Sequence, residues 1–139
     1  DVARTRKVVF PIHPRTVKNI EAFGLKAKVD AIPGLVLTEP LDYFAFQKLV
    51  ASCAFILTDS GGIQEESTYR RVPCLTLRPN TERPSTVTLG SNELVLLDMA
   101  AVRAAIARIE NGSFKKGEVP PLWDGRATER IVDVLDRVL

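Results

Sequence analysis

Apolar residues along the chain fall into two kinds of run. Short runs rich in β-branched side chains, at Val8–Ile12, Leu35–Thr38, Phe55–Thr58, Cys74–Leu77 and Glu93–Leu97, predict strands. Between them, apolar residues recur at helical spacing over Arg15–Phe23, Leu41–Cys53, Gly62–Arg71, Met99–Asn111 and Ala127–Val138. Met99, Val102, Ile106 and Ile109 line one helical face, and Ile131, Leu135 and Val138 line another, so both faces are expected to pack on a sheet. Strand and helix alternating in this way predict an α/β fold, a parallel sheet with helices on both sides. Pro40 is placed to open a helix, Gly24 to close one and Asp124 to cap the last. The irregular stretch Gly112 to Trp123, with Lys115, Lys116, Pro120 and Pro121, reads as a surface connection.

Composition narrows the classes without choosing among them. A chain of 139 residues with 45% apolar content can bury one core, which predicts a single domain over residues 1–139. Its net charge of +2, from 19 basic and 17 acidic side chains, indicates neither a nucleic-acid surface nor an acidic-lipid surface. A small anionic ligand is compatible with it. Cys53 and Cys74 each lie in an apolar run, as expected of reduced core thiols in a reducing compartment such as the cytoplasm. No apolar run approaches the roughly 18 to 20 residues of a membrane helix, and no signal-peptide layout is visible. The polar start at Asp1, leading straight into a strand, suggests a piece of something longer.

The stretch that carries chemistry is Phe55-Ile56-Leu57-Thr58-Asp59-Ser60-Gly61-Gly62-Ile63-Gln64-Glu65-Glu66. An apolar strand ends in a small-residue turn and a helix starts at once, so backbone N–H groups, the Ser60 hydroxyl and the helix dipole can meet a phosphate. Glu66 follows Gly62 by four positions, on the same face and about 6 Å along the axis, roughly the offset from a diphosphate to its ribose. Its carboxylate can accept from the 2′ and 3′ hydroxyls. Glu65 points to another face and receives no such role. Taken alone, the turn is equally well read as tight capping geometry. A second stretch, Leu77-Arg78-Pro79-Asn80-Thr81-Glu82-Arg83-Pro84, follows the next strand and places Arg83 at the same carboxyl edge, where doubly wound folds bind ligands. Alone, it is equally a solvated loop.

These stretches, with Phe10-Pro11-Ile12-His13-Pro14-Arg15-Thr16, Glu39-Pro40-Leu41-Asp42-Tyr43 and Trp123-Asp124-Gly125-Arg126-Ala127, closely resemble the non-hydrolysing UDP-N-acetylglucosamine 2-epimerases, in order and over nearly the whole chain. The resemblance implies a Rossmann-like doubly wound sheet, the C-terminal half of a glycosyltransferase-B arrangement whose active site lies between two domains. It implies that Ser60, Gly61 and Gly62 hold the diphosphate of UDP or a UDP-N-acetylhexosamine, Glu66 the ribose, and Phe46 the region of the uracil, while Arg83 lines the substrate site. The implied reaction eliminates UDP and adds it back to the opposite face, with no metal or cofactor. The proposed acid and base carboxylates belong to an N-terminal domain absent from this chain, so no catalytic residue is assigned. The full-length enzyme is implied to be a cytoplasmic homodimer.

His13, the only histidine, occupies a family position near the cleft, bordering an activator pocket in some members; a structural histidine at a strand end fits equally. Phe46 shares helical spacing with Tyr43 and Val50 and is alternatively core. Arg71 stands where many members have glycine, which predicts a helix without its usual left-handed stop. Ser85 replaces a common acidic residue, and Val95-Leu96-Leu97 lacks a common glycine. The competing functions are a hydrolysing relative and a UDP-sugar binding module without catalysis.

Overall fold

The computed structural model describes residues 2–139, as two compact units, one ending at Lys48 and the other running Leu49–Leu139. In the first unit a short 3-10 turn, Val2–Arg4, precedes β1 (Val8–Pro11), which pairs in parallel with β2 (Leu35–Thr38), Val8 opposite Leu35. The crossover holds α1 (Pro14–Ala22) and the five-residue α2 (Lys26–Asp30), whose polar sequence gave no periodic signal. Pro14 suits the first helical position, and His13 Nδ1 accepts from the Arg15 N–H at 3.2 Å. Gly24, at φ +63°, closes α1 as expected, with the Leu25 N–H returning to the Ile20 carbonyl.

The division between units falls inside α3 (Tyr43–Ser52). This helix starts two residues later than the sequence suggests, because Asp42 is its cap: Asp42 Oδ1 accepts from the Ala45 N–H at 2.9 Å. Pro40 therefore lies ahead of the helix and does not open it.

The second unit contains β3 (Ile56–Thr58), β4 (Cys74–Thr76) and β5 (Asn92–Leu94), all parallel in that spatial order, with Ile56, Cys74 and Asn92 in register. Central β4 is fully buried at all three residues. Between and after the strands come α4 (Gly61–Arg70), α5 (Pro84–Thr88), α6 (Met99–Glu110) and α7 (Ala127–Val138). α5 is too short to leave a periodic pattern. α6 is capped by Asp98, whose Oδ1 accepts from the Ala100 N–H at 2.8 Å, and it buries Val102, Ala105 and Ile106.

Four expectations need correction. Arg71 does supply the left-handed stop after α4, at φ 57°, ψ 30°, with the Val72 N–H donating to the Ser67 carbonyl at 2.9 Å. That closure and the burial of Val72 and of β4 behind it outweigh the cost of a side chain in this region, about 1 to 2 kcal/mol. β5 ends at Leu94 rather than Leu97, since Leu96 turns to φ 51°. The amphipathic face of α7 does not pack: Ile131, Leu135 and Val138 are 58%, 47% and 71% exposed. Such a pattern records a face that favours cover without naming the cover. Finally, the stretch after α6 is no simple surface connection, because Phe114 and Pro120 are buried and the Glu118 N–H donates to the Leu89 carbonyl at 2.7 Å. Gly117, at φ +65°, rests so closely on the backbone that a Cβ would lie 2.4 Å from the Ser91 nitrogen.

Cys53 and Cys74 are both unpaired, and burial pushes both thiols above their ordinary pKa. Among the described residues, no helix is long and apolar enough to cross a membrane, and no group of three or more His, Cys, Asp or Glu side chains is placed to hold a metal ion.

Candidate functional site

Parallel pairing puts the carboxyl ends of β3 and β4 at one edge, Thr58 level with Thr76. The two chemistry-bearing stretches emerge side by side from that edge. After Thr58 the chain turns through Asp59 and Ser60 directly into α4. Ser60 has the extended backbone of a cap residue, yet its side chain makes no capping hydrogen bond; its N–H instead donates to Thr58 Oγ1 at 3.1 Å. The first N–H groups of a helix have no partner within the helix, so this end of α4 is left without a side-chain cap. Gly61 and Gly62 do not take positive φ, and a Cβ built on either meets no heavy atom within 4 Å. Neither backbone strain nor internal crowding calls for glycine there. Their effect is external: they keep the helix end bare.

Successive side chains on α4 then diverge by about 100° each. Gln64 points inward and is completely buried. Its Oε1 accepts from Thr81 Oγ1 at 2.6 Å and from Asn92 Nδ2 at 3.1 Å, and its Nε2 donates to the Ser60 carbonyl at 3.4 Å. Asn92 in turn accepts from Thr76 Oγ1 at 2.7 Å and donates to Thr86 Oγ1 at 3.0 Å, while Thr86 donates to the Arg83 carbonyl at 2.7 Å. A buried polar network therefore ties the Ser60 turn, the loop after β4, α5 and β5 into one frame. Such a network gains rigidity when its members are satisfied.

The next residue, Glu65, meets Arg83: the Arg83 Nε lies 2.9 Å from Glu65 Oε1. The Arg83 N–H also donates to Thr81 Oγ1 at 2.9 Å. Glu66, one position further, is half-buried, and its Oε2 is shielded from solvent without a hydrogen-bond partner among the described residues. Arg78 stays within its own loop, 3.7 Å from Glu82.

Of the sequence-derived candidates, Ser60, Gly61, Gly62, Glu66 and Arg83 thus converge on α4 and the adjoining loop of the second unit. Phe46, half-buried on α3, and the exposed His13 belong to the first unit, and their ligand roles rest on the resemblance alone. His13 performs a structural task there, capping α1. Sequence reasoning missed Gln64, Asn92 and the partner of Glu65. The available signal was negative: the inward face of α4 is Gln64, Ser67 and Thr68, polar residues that apolar periodicity passes over.

Several known proteins are similar to this chain over nearly its whole length. A UDP-N-acetylglucosamine 2-epimerase of Methanocaldococcus jannaschii is 40% identical over 130 residues, covering 94% of this chain and 35% of the relative. The Escherichia coli UDP-N-acetylglucosamine 2-epimerase is 33% identical over 146 residues, 97% of this chain and 37% of its own. A Pseudomonas aeruginosa UDP-2,3-diacetamido-2,3-dideoxy-D-glucuronate 2-epimerase is 36% identical over 134 residues. Among solved structures, the M. jannaschii enzyme in complex with UDP-GlcNAc and UDP superposes with a TM-score of 0.81 at 40% identity, over 93% of this chain and 35% of that one. The chain spans about a third of the length of the relatives it matches. Residues 1–136 match the UDP-N-acetylglucosamine 2-epimerase family, and the chain belongs to that family.

Proposed function

We propose that this chain binds UDP as the nucleotide-holding, C-terminal part of a UDP-N-acetylhexosamine 2-epimerase, within one Rossmann-like domain spanning residues 1–139. The bare amino end of α4 at Ser60, Gly61 and Gly62 takes the diphosphate, Glu66 takes the ribose, and Arg83 lines the substrate. One observation carries the reading: Glu66 Oε2 is buried with no donor among the described residues, one turn beyond the helix end. Leaving a buried acceptor unpaired costs about 1 to 3 kcal/mol, more when it is charged. Two vicinal ribose hydroxyls supply the missing donors.

The same groups suit the reaction the family carries out. When the bond from the sugar to the diphosphate breaks, charge gathers on the departing phosphate, and unpaired N–H groups, the helix dipole and a guanidinium all favour it there. UDP is the portion shared by the N-acetylglucosamine and diacetamido-glucuronate relatives, so this chain is assigned the nucleotide rather than the choice of sugar. Proton transfer is assigned to carboxylates outside these residues, and the 139 residues alone are expected to lack epimerase activity. No metal or cofactor is assigned. We place the protein in the cytoplasm, in keeping with its unpaired thiols, and expect the full-length enzyme to be a homodimer.

Titrating UDP while following the amide resonances of Gly61 and Gly62 tests the reading. Saturable shifts are expected, with Kd on the order of 0.1 to 10 mM because an open site encloses its ligand poorly. No saturable change at these residues would refute it.

A further inference from the structure

Arg83 cannot choose its own direction. It sits on an irregular stretch just ahead of α5, with backbone dihedrals of −121° and 59°, and its side chain is 43% exposed. A guanidinium on such a stem has many rotamers, and fixing a long side chain costs rotamer freedom. Two contacts from α4 restrict it. Gln64 holds Thr81, which receives the Arg83 N–H and so fixes the stem. Glu65 holds Nε, the inner corner of the guanidinium, at 2.9 Å. Nη1 reaches only the neighbouring Glu82 carbonyl, at 3.4 Å, and Nη2 has no partner among the described residues.

We propose that Glu65 is a positioning residue for the nucleotide site: its carboxylate anchors Arg83 by Nε and so turns the outer edge of the guanidinium toward the diphosphate. The inference rests on the UDP reading above and adds to it a residue that touches no ligand. It also explains why an acidic side chain stands beside an anion site. By charge alone, Glu65 repels a diphosphate, and its removal would strengthen binding. By positioning, its removal weakens binding. The two accounts predict opposite signs.

The test measures UDP and uridine affinities of the 139-residue chain for the wild type, Glu65→Ala, Glu65→Gln, Arg83→Ala and the double variant Glu65→Ala with Arg83→Ala. Positioning predicts that Glu65→Ala lowers UDP affinity about threefold to tenfold, leaving uridine affinity unchanged. Glu65→Gln, which keeps the length of the side chain without the charge that holds the guanidinium, loses UDP affinity as Glu65→Ala does. In the Arg83→Ala background, Glu65→Ala has no further effect, since nothing remains to be aimed. Unchanged or tighter UDP binding by Glu65→Ala would overturn the inference while leaving the UDP reading intact, and so would an equal loss for uridine. If the wild type itself fails to bind UDP, the underlying reading fails instead.

Discussion

Gly61 and Gly62 sit where alanine would serve the fold better. Both lie in the first turn of α4, neither has positive φ, and a Cβ on either would point into open space. Glycine in a helix is less favourable than alanine by roughly 0.5 to 1 kcal/mol, so their presence costs stability that the ligand site offsets in function. Gly62→Ala is therefore expected to raise the urea midpoint while lowering UDP affinity about tenfold, a Cβ having been placed in the path of the phosphates. A variant that binds UDP as the wild type does would show that the bare helix end is incidental. This pair was legible in the sequence because the turn that approaches a phosphate is written in consecutive residues. The Glu65–Arg83 pair was not, since its members are separated by a strand and a loop whose path only the folded chain defines.

Among the elements, α4 departs most from simple patterning. Its inward face is Gln64, Ser67 and Thr68, all fully buried, and Gln64 ties it by hydrogen bonds to Thr81 in the loop after β4 and to Asn92 of β5. Apolar periodicity located α6, whose inward face is Val102, Ala105 and Ile106, for the ordinary reason that burial there is hydrophobic. For α4 the pattern marks a helix between two strand runs, and the glycine turn marks its start. Its end is set by Arg71, which holds a left-handed conformation that glycine adopts more readily. Arg71→Gly is expected to raise stability by about 1 kcal/mol in urea unfolding, the strain of the side chain exceeding the added freedom of the unfolded chain. Lower stability in the variant would mean that the arginine side chain contributes contacts that outweigh its strained backbone.

At the scale of the whole molecule, each of the five strands overlaps its β-branched run, β5 starting one residue early and stopping at Leu94, and the parallel pairing follows from the helices between them. The two units were not foreseen, because a hydrophobic pattern names faces and leaves open which surfaces meet. The uncovered apolar face of α7 is the same limitation in one helix. The chain spans about a third of its relatives' length, and the part assigned to it is holding the nucleotide. That assignment turns on Glu66. Titrating UDP and 2′,3′-dideoxy-UDP against the wild type and Glu66→Ala tests it directly. The variant is expected to lose about tenfold or more in UDP affinity, as charge-assisted hydrogen bonds to two hydroxyls are removed, and to lose almost nothing with the dideoxy ligand. An equal penalty for both ligands would contradict it.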